Sequence, residues 1–173
     1  MANNNIRIFK ATPADAAEMI QVWKLGAKTG NWSFICSKKC PTKADIESLK
    51  RELAKRKPTQ VRFLARNRKT GQVVGTIAGS WRTQSRMSHV VSCGWGVHPD
   101  FQRQGVGTAL LETLVNYVRG KGFKRIEAEI ATENIASLRL AKRLGFVQEG
   151  VKRAAFMTDD GRLIDLVIMG LVL

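Results

Sequence analysis

The chain has 173 residues and a mass of 19.2 kDa, enough for one domain spanning 1–173 whose core needs neither metal nor disulfide. A hydrophobic share of 44% with 25% charged residues excludes disordered, collagen-like and fibrous classes. A formal charge of +15 favours polyanions, acidic surfaces or phosphorylated ligands, and says nothing about fold.

In chain order, Ile6-Arg7-Ile8-Phe9 reads as a short strand. Thr12-Pro13-Ala14-Asp15 is a helix start: Thr12 can cap, Pro13 suits the first helical position, and Asp15 is a favoured first-turn acid. Met19, Ile20, Trp23 and Ala27 follow at helical spacing, and Gly30 ends the run. Thr42-Lys43-Ala44-Asp45 repeats the start signal, with Ile46, Leu49 and Leu53 as the apolar stripe of a basic second helix that Pro58 closes. Strands are predicted at 61–65 and 73–80 around a polar hairpin turn, and a third at 90–97. A helix from about Gly105 carries Leu110, Leu111, Leu114, Val115 and Val118, and ends at Gly120 and Gly122. Residues 126–131 alternate apolar and charged, as a strand does, and 136–144 form a short helix stopped by Gly145. Strands at 146–155 and 163–171 are joined by the turn Asp159-Asp160-Gly161. The expected architecture is an α/β fold with a mixed sheet, in the order β-α-α-β-β-β-α-β-α-β-β, with a parallel pair where strand–helix–strand occurs.

The basic charge is uneven. Residues 28–72 hold 13 Lys and Arg against Asp45, Glu47 and Glu52, a net +10, which reads either as a solvated face or as an anion-binding surface. The final apolar run, 166–173, has 8 residues, against the ~18–20 of a membrane span, so no membrane partner is expected. The opening Met1-Ala2-Asn3-Asn4-Asn5 lacks the basic and apolar regions of a secretory signal. Three cysteines, Cys36, Cys40 and Cys93, are too few for a disulfide framework and fit a reduced, cytoplasmic setting. Cys36 and Cys40 have no nearby His, so no metal is expected.

The chemistry lies in Gly94-Trp95-Gly96-Val97-His98-Pro99-Asp100-Phe101-Gln102-Arg103-Gln104-Gly105-Val106-Gly107-Thr108. A strand ends, a glycine-containing loop follows, and a helix begins. The first turn of that helix offers amides without internal partners, Gly105 and Gly107 allow close approach, and the helix dipole favours an anion such as a pyrophosphate. Arg103 adds a charge-assisted donor. The pattern is neither a P-loop nor G-x-G-x-x-G, since position 110 is Leu110.

Gln102-x-x-Gly105-x-Gly107 resembles the acyl-CoA pyrophosphate loop of the GNAT superfamily of N-acetyltransferases. Ile6-Arg7 with 11–15, Val97-His98-Pro99-Asp100, and Asn134-Ile135-Ala136-Ser137 with Leu140 and Leu144-Gly145-Phe146 resemble further family segments in the same order. Glu149-Gly150, Arg153, Asp160-Gly161 and Asp165 look like the subgroup of ribosomal-protein, amino-acid and phosphinothricin-type acetyltransferases. The resemblance implies a fold in which the fourth and fifth strands splay. The pantetheine arm would then pair with Trp95, Gly96 and Val97, and the pyrophosphate would rest on the amides of Gln102, Arg103, Gln104, Gly105, Val106, Gly107 and Thr108. Asn134 would bond the pantetheine or cap its helix, Ser137 would lie close to the donor, and Arg139, Lys142 and Arg143 could meet the 3′-phosphate or solvate a helix face.

The implied reaction is acetyl transfer from acetyl-CoA by direct attack of a primary amine, either a small molecule, an amino acid or a protein N-terminus, with no metal. Glu129, five residues before Asn134, is the candidate base that the resemblance assigns, and strand alternation places Glu127 on its face. His89, Ser92 and Cys93 are lesser polar candidates. The position where the family often has a tyrosine acid is Ala141, and the single tyrosine, Tyr117, falls within a helix as a packing residue. The acceptor is expected near the first two helices and residues 29–34, with Trp81 and Arg82 nearby, and the basic 28–72 region suits an anionic acceptor. Homodimers are common in the family. The competing reading is a non-catalytic CoA-binding or nucleic-acid- or ribosome-associated basic module, although no common nucleic-acid motif is present.

Overall fold

A computed structural model describes residues 5–28, 42–55, 59–83 and 86–173. Seven strands form one mixed sheet in the order β1-β2-β3-β4-β5-β7-β6. They are β1 (Ile6–Lys10), β2 (Gln60–Asn67), β3 (Val73–Trp81), β4 (Val90–Val97), β5 (Arg125–Ala131), β6 (Val147–Met157) and β7 (Leu163–Val172). The helices are α1 (Ala16–Lys28), α2 (Lys43–Ala54), α3 (Val106–Gly120) and α4 (Ile135–Arg143). All neighbouring strands run antiparallel except β4 and β5, which are parallel and are joined through α3. The expected fold class and central parallel pair are therefore present.

The helices divide between the two faces. Met19, Ile20 and Trp23 of α1 pack with Leu49 of α2 against Leu64 and Val73. Leu110, Leu111, Leu114 and Val118 of α3 are fully buried on the opposite face, with α4 contributing Ala141 to the same cluster. The Thr12 start signal produces a one-turn 3-10 segment, Pro13–Asp15, before α1 begins. Thr42 caps α2 by accepting from the Asp45 amide at 3.2 Å. Phe146, expected to open the last hairpin, instead turns into the core at 3% exposure and donates its amide to the Ala141 carbonyl, so it seals α4. β6 carries two register shifts, and Ala154 within it adopts a left-handed φ of 50°.

An ion cluster ties the start of α1 to β2. Arg66 donates to Asp15 at 2.5 Å and to Glu18 at 3.0 Å, while Glu18 accepts the Val73 amide at 3.0 Å. Burial alone would push the Asp15 carboxyl up, but hydrogen bonds from the Thr12 hydroxyl and amide and from Arg66, with the attraction of that guanidinium, hold it below its ordinary range. A carboxyl lowered by folding stabilises above its unfolded value, about 3.9, and loses that contribution as pH falls through the folded one. Asp15→Asn should therefore cost about 2 kcal/mol at pH 7. Melting curves should show the gap to wild type closing as pH drops below about 4, and a gap constant with pH would contradict the assignment.

Candidate active site

The sheet is incomplete at its centre. β4 and β5 share only three registered pairs, Val90↔Arg125, Val91↔Ile126 and Ser92↔Glu127. β4 then continues to Val97 and β5 to Ala131 without pairing, so backbone groups of both strands border a gap.

A cavity of about 630 Å³ runs from this gap to both faces of the sheet. Toward α3 and α4 it is lined by Trp95, Gly96 and Val97, by Gln102, Arg103 and 105–108, and by Asn134, Ser137, Arg139 and Arg143. Toward α1 it is lined by Met19, Val22, Trp23, Arg62 and Thr76. Of the residues expected at the donor's loop, strand and capping positions, Gln104 lies outside the lining, and its side chain donates to the Asp100 carbonyl at 2.9 Å. Lys142 is outside it as well.

The loop geometry suits an anion. Arg103 and Gly105 both have positive φ, 58° and 79°, on either side of Gln104. Such left-handed turns point successive amides to one side. Gly105 is the N-cap of α3, and its carbonyl accepts from Ala109 at 3.0 Å, which leaves the amides of 106–108 without intrahelical partners. The first turn of α3 holds no acidic residue. Gly107 lines the cavity and has a packing task as well: a Cβ there would meet Leu140 Cδ2 at 3.0 Å, so its bareness lets α4 pack against α3. That packing brings Arg143 onto the Thr108 hydroxyl. Asn134 caps α4, accepting from the Ser137 amide at 3.1 Å, while also lining the cavity.

A smaller recess of about 200 Å³ lies at the gap between Ser92, Cys93, Glu127, Ala128 and Glu129. Glu127 accepts from the Ser92 hydroxyl at 2.9 Å, and Glu129 is ion-paired with Lys152. Burial of the Cys93 sulfur, and then the neighbouring Glu127 carboxylate, push its thiol up to about 12, so at neutral pH it is protonated and a poor nucleophile. His89 is exposed and lines neither space. Ala141 is fully buried and outside the cavity, and Tyr117 packs edge-on against Phe63 with centroids 5.4 Å apart. Trp81 packs at a tilt against Phe123, with ring centroids 5.0 Å apart, and neither it nor Arg82 lines the cavity. Residues 29–34, Cys36 and Cys40 lie outside the described residues. Among the described residues no group of three His, Cys, Asp or Glu could hold a metal, and no helix is long and apolar enough to cross a membrane. Sequence reasoning did not place Arg62 and Thr76, or the α1 residues Met19, Val22 and Trp23, at the cavity. Arg62 was one of many basic residues in its segment, and no local pattern marks any of the five as facing a ligand.

The described chain is thus a mixed sheet split at its one parallel pair, with a cationic, amide-rich loop beside the split. The chain belongs to the acetyltransferase (GNAT) family, whose model matches residues 30–146. It is 35% identical over 97 residues to the [ribosomal protein bS18]-alanine N-acetyltransferase of Escherichia coli (strain K12), a match covering 56% of this chain and 65% of that protein's length. It is 30% identical over 157 residues to the phosphinothricin N-acetyltransferase of Streptomyces viridochromogenes, covering 90% of this chain and 82% of the relative. Its fold is shared with yncA of Salmonella typhimurium, solved with its cofactor acetyl-CoA, at a TM-score of 0.82 and 24% identity, covering 98% of this chain and 95% of that one.

Proposed function

We propose that this protein is an acetyl-CoA-dependent N-acetyltransferase in which a primary amine attacks the thioester directly. The observation that carries this reading is the single cavity that joins the amide-rich loop on one face to the α1 wall on the other through the β4–β5 gap. The names of the two relatives state N-acetylation of a ribosomal-protein alanine and of phosphinothricin.

Acetyl-CoA, when bound, supplies the acyl group through its thioester. The amides of Val106, Gly107 and Thr108 seat the pyrophosphate, Arg103, Arg139 and Arg143 add charge, and Trp95, Gly96 and Val97 align the pantetheine. Glu129 takes the proton that the ammonium must lose, since a free alkyl amine with a pKa near ~10.4 is protonated at neutrality. With Ala141 in the tyrosine position no phenol protonates the leaving sulfur, and a thiol of pKa about 8.5 departs tolerably as thiolate.

The test is release of free thiol from acetyl-CoA over a panel of amines, beside thermal melting with coenzyme A. Turnover with at least one amine is expected, with a melting shift that reflects about 2.7 kcal/mol at a hundredfold excess over Kd. A melting shift without turnover on any amine would instead support a non-catalytic CoA-binding module, and no response to coenzyme A would remove both readings.

A further inference from the structure

We infer that Arg62 is a specificity residue that anchors a carboxylate of the acceptor, so that the substrate is a free amino acid and not a protein N-terminus. This rests on the acyl-transfer reading above.

The register locates the residue. Arg62 lies opposite Ala78, and Ala78 opposite Gly94, so the three form one row across β2, β3 and β4. The row faces α1. Leu64, two residues on from Arg62, packs in the α1 cluster, Thr76 accepts a hydrogen bond from Trp23 Nε1 at 2.8 Å, and a Cβ on Gly96 would lie 3.7 Å from Trp23 Cδ1. Gly94 is two residues past Ser92, the last residue of β4 paired with β5, so it stands at the mouth of the gap. Two strand spacings of about 4.8 Å separate the backbones of Arg62 and Gly94. Nothing larger than the Ala78 methyl rises between them. An extended arginine side chain crosses most of that shelf.

The guanidinium is held in place with donors to spare. Its side chain is 16% exposed, and one terminal nitrogen donates to Glu52 at 2.8 Å. It lies over the Trp23 ring at 5.9 Å, and that indole is itself fixed by Thr76. Glu52 does not line the cavity, so it orients the fork from behind and leaves the other guanidinium N–H groups available on the cavity side. Among the described residues, the cavity lining contains arginines 62, 103, 139 and 143 and no Asp or Glu. Three of these serve the phosphate end. Arg62 is on the opposite face of the sheet, on the β2 side of β4 and away from the phosphate loop. Glu52 takes up one terminal nitrogen of Arg62, and the other edge of the guanidinium suits a planar carboxylate of the acceptor, which an arginine fork binds in bidentate geometry. An amino acid presents its amine toward Gly94 while its carboxylate meets Arg62. A peptide N-terminus has an amide in that place.

The test compares L-leucine with L-leucinamide as acceptors for wild type, Arg62→Gln and Arg62→Lys. Wild type should prefer L-leucine in kcat/KM by about 10- to 100-fold, the weight of one charge-assisted contact. Arg62→Gln should raise KM for L-leucine by a similar factor with kcat nearly unchanged, leaving KM for L-leucinamide and for acetyl-CoA as in wild type. Arg62→Lys, which keeps the charge but not the fork, should fall between, and it supplies the same reading should the glutamine variant fail to fold. Equal wild-type rates on acid and amide, or equal KM increases for both in Arg62→Gln, would overturn the assignment. Turnover of peptide N-termini without turnover of L-leucine would overturn it while leaving the transferase standing, whereas no turnover on any amine would sink the transferase reading itself.

Discussion

Replacing Gly105 by valine should weaken acetyl-CoA binding by about 100-fold or more. At φ 79° a β-branched residue is strained, by about 1–3 kcal/mol. The chain relieves that strain by rotating the N-cap of α3, which turns the amides of 106–108 away from the site they line. One displaced charge-assisted hydrogen bond adds about 1.5–3 kcal/mol. Titration calorimetry with acetyl-CoA reads the affinity and thermal melting reads the strain, and both should change. A valine variant that bound the donor with wild-type affinity would show that the phosphates sit elsewhere.

The second large effect is expected at the β4–β5 gap. Glu129→Gln should lower kcat/KM at neutral pH by about 10²- to 10⁴-fold, the usual weight of a general base. The loss has a pH signature. Without a base, rate follows the fraction of amine already deprotonated and climbs about tenfold per pH unit toward the amine pKa near ~10.4, so variant and wild type should converge in alkali. Donor affinity should not change, because Glu129 lines the small recess and not the main cavity. Glu127→Gln is the companion experiment. Glu127 is tied to Ser92, whereas Glu129 is tied to Lys152. Collapse in Glu127→Gln with a normal profile in Glu129→Gln would move the base two residues back along β5.

Local signals carried most of the fold. The Thr42 box, the α3 leucine stripe and the Asp159-Asp160-Gly161 turn are each dictated by neighbours in sequence, and each appears where its chemistry requires. The donor loop was legible for the same reason, because a strand end, a left-handed glycine and a helix start are consecutive. What escaped depends on pairing between distant segments. The splay of β4 and β5 was expected from the family resemblance alone, since no local pattern in 90–97 or 125–131 announces that pairing ends at Ser92 and Glu127. The spacing of Gly107 suggested ligand approach but could not show that it also packs against Leu140, from a helix 33 positions on. Trp23 satisfied the helical stripe and was read as core, but its ring also forms a wall of the cavity. Arg62 belonged to a segment of net +10, in which charge alone could not separate a ligand contact from a solvated face.

The short seam between β4 and β5 leaves the halves of the sheet stitched at one end only. On the proposed reading, an extended donor laid into the opening would act as a non-covalent strand that lengthens the ladder, so that donor capture and the stitching of the sheet's two halves would be one thermodynamic event.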